Sequence, residues 1–229
     1  MNQIDDAPIH PGMLEIRIGL ITLAIVGIGG SIAIAQVLTD PVLIGLILTA
    51  MSGIGGLAGF AAAYRWRIRS LAPFGIRSTT TRWLSLAVGA GILAFIAKSI
   101  AILIIISIVG QGDSPQEVYA TGASGGWWTI ILATVFLTVL TPIGEEFLFR
   151  GVVQTALFRR YGPIVAVGAA AFCFAIFHGI NIVFPVALIK GVIAGEIFRR
   201  SGSIWPAVVV HGVVNLPTIP MMVLANAAQ

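Results

Sequence analysis

The sequence predicts an all-α protein, a polytopic bundle of about seven transmembrane helices that forms one integral-membrane domain over residues 1–229. Three observations lead to this prediction. Hydrophobic residues make up 58% of the 229 residues and charged residues only 10%, and the mean hydropathy is +1.02. Soluble domains average about 45–50% apolar and about 25% charged residues, so this chain lacks the polar surface that water requires. Apolar runs of roughly 20 residues, long enough to cross about 30 Å of hydrocarbon, also recur along most of the chain.

Seven apolar runs are predicted to be spans. The first follows Asp5, Asp6 and Glu15 without a small-residue cleavage pattern, which favours a retained helix over a signal peptide. The glycine-rich second run is typical of helices whose backbones pack closely. As one continuous helix the fourth run would be longer than the bilayer, so either Pro142–Gly144 interrupts and bends it or its arginine-bearing end projects into the cytoplasm. The runs are approximately Ile16–Leu38, Val42–Ala63, Trp83–Val109, Trp127–Ile143 continuing past the interruption, Ile164–His178, Ile182–Phe198 and Ser203–Leu224.

The positions of the arginines predict the topology, because cytoplasmic loops of membrane proteins are enriched in Lys and Arg. Arginines follow the second, fourth and sixth runs, whereas the intervening gaps carry Asp40, Asp113, Glu117 or Asn181 and no basic residue. We therefore expect a cytoplasmic N-terminus and no nucleic-acid partner, although the chain is basic. The arginines concerned are Arg65, Arg67, Arg69, Arg77, Arg82, Arg159, Arg160, Arg199 and Arg200.

Two adjacent glutamates and an arginine stand inside the apolar fourth run. A charged residue at the bilayer centre costs about 2.5–3.5 kcal/mol on insertion scales, which makes such residues candidates for function. Glu146 and Arg150 are four residues apart and are neighbours on one helix face, where they could also form a purely structural pair. Glu145 is rotated by about 100° from Glu146. It is therefore predicted to remain free for general acid or base chemistry.

Later runs supply two histidines and an asparagine. His178 ends the fifth run, and His211 and Asn215, four residues apart, share one face of the seventh. From the hairpin tip at Tyr161, Glu145 is 16 residues before and His178 is 17 residues after, so the two should lie level. We expect these side chains to gather in one polar cavity, nearer the cytoplasmic half of the membrane than the outer surface.

Two lysines also lie within predicted spans. Lys98 is about level with Glu145 and could pair with a glutamate, whereas Lys190 is expected to extend toward the interface. The single cysteine, Cys173, excludes an intramolecular disulfide and a cysteine metal site. One glutamate and two histidines would still allow a zinc-dependent membrane protease, although no His-Glu-x-x-His motif is present. A proton-coupled transporter is a further alternative, but the inverted repeats typical of that class are not found.

Three motifs occur in order: Glu145-Glu146-x-x-x-Arg150, Phe174-x-x-x-His178 and His211-x-x-x-Asn215. Together they resemble the motifs of the CPBP family, the CAAX-protease and bacteriocin-processing (Abi) intramembrane proteases. The motifs lie in a core of about residues 127–224. The resemblance implies a metal-independent, cofactor-free endopeptidase of the glutamate type in a bacterial plasma membrane, acting on a membrane-associated peptide or protein.

The resemblance also implies a role for each motif residue. Glu145 would activate water with the help of His178, and Glu146 and Arg150 would hold the geometry of the site. His211 and Asn215 would donate hydrogen bonds to the oxyanion of the tetrahedral intermediate. A non-proteolytic scaffold or immunity protein of the same fold is the alternative. The sequence leaves open the substrate, its prenylation, the oligomeric state and which of Glu145 and Glu146 is the base.

Overall fold

The computed structural model describes residues 9–110 and 116–227. Asp5 and Asp6, which favour a retained first helix, and Asp113, which entered the topology prediction, lie outside these ranges. In the described residues the regular structure is helical and contains no strand, so the all-α prediction is confirmed. The helices are α1 (Met13–Val37), α2 (Pro41–Ile68), α3 (Thr81–Val109), the short α4 (Glu117–Ala123), α5 (Trp127–Tyr161), α6 (Pro163–Phe177), α7 (Val183–Ser201), α8 (Ile204–Asn215) and α9 (Thr218–Ala227).

Each of the seven predicted runs corresponds to a helix or, for the last run, to α8 and α9 together. Five of these segments are long and apolar enough to cross a membrane: α1, α2, α3, α5 and the stretch Ile204–Ala225. The other two differ for identifiable reasons. Helix α6 has only 15 residues, and α7 carries Lys190 in its middle and three charged residues near its end. The chain is an integral membrane protein, and the prediction of a polytopic bundle is confirmed.

Local sequence signals explain where several helices begin. The Asp40 carboxylate accepts hydrogen bonds from the backbone N–H groups of Val42 and Leu43, at 2.9 and 3.2 Å, and so caps α2. Pro41 occupies the first turn, where its missing N–H costs nothing. Between α5 and α6 the chain turns at Gly162, whose φ of 79° favours glycine. The hairpin tip therefore lies where the sequence predicts it.

Helix α5 carries the glutamates and is continuous over 35 residues, about 50 Å. An interruption of the helix at Pro142–Gly144, one of the two alternatives, is therefore not found. Instead, the backbone widens into π-helical stretches on both sides, at Phe136–Leu140 and Phe147–Gln154. Such local adjustments let a membrane helix continue past a proline whose missing N–H would otherwise leave a carbonyl unbonded.

Close backbone packing holds α5 against α2. A Cβ atom on Gly144 would overlap the carbonyl oxygen of Gly53, and one on Gly56 would lie 2.5 Å from the carbonyl carbon of Gly144. Only glycine fits such an approach, which is typical of membrane helix pairs. The contact lies directly beside Glu145 and Glu146, so the packing of small residues positions the charged segment.

Contacts confirm that the arginine clusters meet at one end of the bundle. Arg67 of α2 pairs with the buried Glu15 at the start of α1, with an Nε–Oε1 distance of 2.5 Å. Arg77 donates from Nε to the carbonyl of Gly202, after α7, at 2.5 Å. Burial and the positive charge of Arg159 both lower the pKa of His10, which precedes α1. The assignment of this end to the cytoplasm stays a prediction.

Candidate active site

A cavity of about 610 Å³ opens among the helices and lies within the usual size range of ligand sites. Most of its wall is apolar and comes from α1, α2, α3, α5, α7 and α8. Several polar side chains also reach it. They are Ser31, Ser52, Lys98, Gln116, Glu117, Tyr119, Thr141, Glu145, His178, Lys190, Asn215 and Thr218.

The cavity lies toward the end of the bundle opposite the arginine clusters. Its wall includes Tyr119 in α4, His178 at the end of α6 and Ile182 just before α7, all remote from the arginine-bearing ends. The expectation of a cavity in the arginine-bearing half is therefore wrong.

Glu145 is 3% exposed and lies between two histidines. Its Oε1 is 4.0 Å from Nε2 of His178, and its Oε2 is 3.6 Å from Nε2 of His211. Both distances exceed a hydrogen bond, and Oε2 has no hydrogen-bond partner among the described residues. The carboxylate thus lies near two imidazoles, and its Oε2 forms a hydrogen bond with neither of them.

His178 is oriented by the helix that ends before it. Its Nδ1 lies 2.9 Å from the carbonyl oxygen of Phe174, and its ring packs on the Phe174 ring at 4.5 Å between centroids. Because a carbonyl can only accept, the hydrogen bond places a proton on Nδ1. Nε2, on the other side of the ring, is then the nitrogen that faces Glu145.

Behind the cavity, Arg150, Glu146 and His211 form a fully buried chain of polar groups. Nε of Arg150 lies 2.9 Å from Oε2 of Glu146, as an ion pair without the alignment of a hydrogen bond. Nδ1 of His211 donates to Oε1 of Glu146 at 2.8 Å. None of the three lines the cavity, so the predicted separation of the two glutamates onto different faces is confirmed.

Lys190 continues this chain into the cavity. Its side chain lies on the cavity wall, is 7% exposed and donates from Nζ to Nε2 of His211 at 2.6 Å. The expectation that Lys190 extends toward the interface is wrong, because the residue faces α8 and finds a partner there. Its position as a lysine inside a predicted span was the signal that could have identified it.

Lys98 and Asn215 tie other helices to the cavity wall. Nζ of Lys98 donates to the carbonyl of Val214 at 3.2 Å, which links α3 to α8 rather than to a glutamate. Nδ2 of Asn215 donates to the carbonyl of Leu137 at 2.9 Å, within the first π-helical stretch of α5. An amide NH₂ has two hydrogens, so Asn215 keeps a second donor.

The described residues contain no group of three or more His, Cys, Asp or Glu side chains arranged to hold a metal ion. The one arrangement that sequence suggested, Glu145 with two histidines, has both nitrogens of His211 in contact with Glu146 and Lys190. Its geometry thus offers at most two of the ligands that a catalytic zinc takes from a protein.

Part of the chain matches a known protein family. Residues 126–217 match the family described as type II CAAX prenyl endopeptidase Rce1-like. The motif-bearing part of the chain is therefore similar to this family. The resemblance to CAAX proteases predicted from the three motifs is therefore confirmed, and it indicates a CAAX-type membrane protease in general. No curated protein and no solved structure matches the chain.

The Rce1-like segment begins just before α5 and ends just after α8, so it holds all six predicted site residues and Lys190. Helices α1, α2 and α3 lie outside it but supply a large part of the cavity wall, including Lys98. The helices of the matched segment thus carry the predicted site residues. The preceding helices add further polar groups to the cavity wall and determine much of the shape of the cavity.

Proposed function

We propose that this protein is an intramembrane endopeptidase that hydrolyses a peptide bond of a membrane-associated peptide or protein, with Glu145 as the general base. The proposal rests above all on the Glu145 carboxylate, which reaches a cavity within the bundle, lies near two imidazoles and keeps Oε2 unbonded. A positioned base of this kind contributes about 10²–10⁴ to the rate of hydrolysis.

In the proposed reaction, a water molecule binds between Glu145 and His178. Glu145 accepts one proton from the water, and the water oxygen forms a bond to the carbonyl carbon of the substrate while the carbonyl electrons move to its oxygen. Asn215 donates its second N–H to the resulting oxyanion. The intermediate then collapses, the C–N bond breaks, and the proton held by Glu145 passes to the leaving amine.

Glu146 and Arg150 serve to hold this geometry, because they are buried behind the cavity and tied to α8 through His211. His211 as a direct donor to the oxyanion stays a prediction. Its ring nitrogens already contact Glu146 and Lys190, so a direct role would require one of these contacts to change.

The substrate is proposed to enter from the lipid phase. The apolar cavity wall favours a hydrophobic chain, and the name of the matched family raises a prenylated C-terminal tail as one candidate. We also propose a bacterial plasma membrane as the location, with the arginine-bearing end and the N-terminus in the cytoplasm. The cavity would then lie toward the outer half of the membrane.

The function is tested by comparing membrane-bound peptides from cells that produce the wild-type protein with those from cells that produce Glu145→Gln. Peptides that appear only with the wild type are expected, and their ends define the cleavage site. Synthetic copies, with and without a farnesyl group, are then incubated with both proteins purified in lipid nanodiscs. Identical peptide sets, or cleavage that survives Glu145→Gln, would contradict the proposal.

A further inference from the structure

Lys190 is a buried cation without a buried counterion in contact. Its ammonium lies within hydrogen-bond distance of one side-chain atom, Nε2 of His211 at 2.6 Å, and the described residues offer it no ion pair. The ring of Phe174 lies 4.9 Å from Nζ and supplies a cation–π contact on one side. An ammonium has three N–H donors, so two remain, and the side chain lines the cavity.

The orientation of this ammonium is set by the residues behind it. His211 donates from Nδ1 to Glu146 at 2.8 Å and therefore presents the lone pair of Nε2 to Lys190. Glu146 is in turn held by Arg150 at 2.9 Å. All three positioning residues are fully buried. The chain Arg150–Glu146–His211 thus fixes the position of one group that reaches the cavity, the ammonium of Lys190.

Lys190 and Glu145 approach the same atom from different directions. Nε2 of His211 is 2.6 Å from the lysine Nζ and 3.6 Å from the glutamate Oε2. The base and the ammonium are therefore close neighbours but do not form an ion pair. Hydrolysis requires space between these two groups for a water molecule and the substrate carbonyl. The base must lie beside the water, and a hydrogen-bond donor must lie beside the carbonyl oxygen.

We propose that Lys190 is a further catalytic residue of the peptidase, which donates a hydrogen bond to the oxyanion that forms when water attacks the substrate carbonyl. This inference rests on the proposed function. No proton leaves Lys190 during the reaction; its charge offsets the negative charge that develops on the oxygen. Asn215 supplies the second donor, and His211 acts through Lys190 as a positioning residue.

The test compares Lys190→Met with Arg200→Met, which removes a cation from the same helix, α7, but outside the cavity wall. Both variants and the wild type are purified in nanodiscs, and the substrate is a fluorogenic peptide copied from a cleavage site found in cells. For Lys190→Met, kcat should fall by about 10²–10³, as for removal of one oxyanion donor, with KM within about threefold of the wild type. For Arg200→Met, kcat should stay within about threefold, because its guanidinium is largely exposed and pairs with Glu196 outside the cavity.

A second measurement separates donation to the oxyanion from a structural role. The affinity for a phosphinate peptide that mimics the tetrahedral intermediate should fall with kcat in Lys190→Met, whereas that for an uncleavable N-methyl peptide should not. If Lys190→Met does not fold, Lys190→Gln takes its place, with the same expected difference between the two ligands. Unchanged kcat in the Lys190 variant, or equal losses for both ligands, would overturn the inference. If Glu145→Gln also left cleavage intact, the proposed function itself would fail.

Discussion

Replacement of Glu146 should lower the free energy of unfolding far more than replacement of Glu196. Each glutamate lies four residues before an arginine, but only the first pair is buried. Glu146 and Arg150 are both fully buried, and their charged atoms are 2.9 Å apart. At that distance two unit charges interact by about 6 kcal/mol at an effective dielectric constant of about 20, which is an upper limit for the pair. Glu146→Gln leaves the guanidinium buried without its counterion, and its two terminal nitrogens already lack hydrogen-bond partners among the described residues. The expected loss is about 3–5 kcal/mol.

The measurement is a double-mutant cycle of the free energy of unfolding in lipid bicelles, with Glu146→Gln, Arg150→Met and the double variant. The double variant should lose much less than the sum of the single losses, because it removes both charges of the pair together. Glu196→Gln is the matched control. Glu196 lies 2.5 Å from Arg200 with the same four-residue spacing, but both are partly exposed, so the loss should be about 0–1 kcal/mol. Additive losses, or a loss at Glu146 as small as at Glu196, would refute the reasoning.

Three further predictions follow from the site and its packing. Glu145→Gln should abolish hydrolysis but leave the melting temperature unchanged or higher, because one of its buried oxygens has no partner among the described residues; a fall of more than about 4 °C would contradict this. Gly144→Ala should lower the free energy of unfolding by about 1–3 kcal/mol, because its Cβ would overlap Gly53. The matched control is Gly168→Ala in α6, where the new methyl group has open space, so the free energy of unfolding should stay the same or rise. Equal changes in the two variants would show that the close approach of α5 and α2 is unimportant. EDTA should leave the hydrolysis rate unchanged, whereas a loss that zinc restores would support the zinc-dependent alternative.

Much of the fold could be predicted because lipid restricts what a spanning segment can be. Apolar runs of spanning length and the alternation of arginine-bearing gaps were enough to predict the helices and the end at which the arginines meet. The course of α5 was not predictable from the same rules. A proline and a glycine such as Pro142 and Gly144 end or kink most helices. No sequence pattern predicts the π-helical stretches on both sides that let this helix continue.

The site was predictable wherever one helix determined the geometry. The four-residue spacing of Glu146 and Arg150 and the rotation between the two glutamates follow from helical periodicity alone. The partner of His211 does not, because its contact with Lys190 depends on how α7 and α8 are rotated against each other. Depth was also misjudged, since the position of a residue relative to a helix end does not show how far that end extends beyond the membrane.

The formal charges of the site explain how such a set of groups can exist within a membrane helix bundle. Arg150 and Lys190 supply two positive charges, Glu145 and Glu146 supply two negative charges, and His211 joins the two pairs. The cluster is therefore neutral as a whole, which limits the cost of holding it away from water. The charges are nevertheless not paired symmetrically, because Glu146 contacts Arg150 directly whereas Glu145 and Lys190 form no ion pair. Neutrality is achieved without joining these last two in an ion pair, so both remain available to a substrate in the cavity.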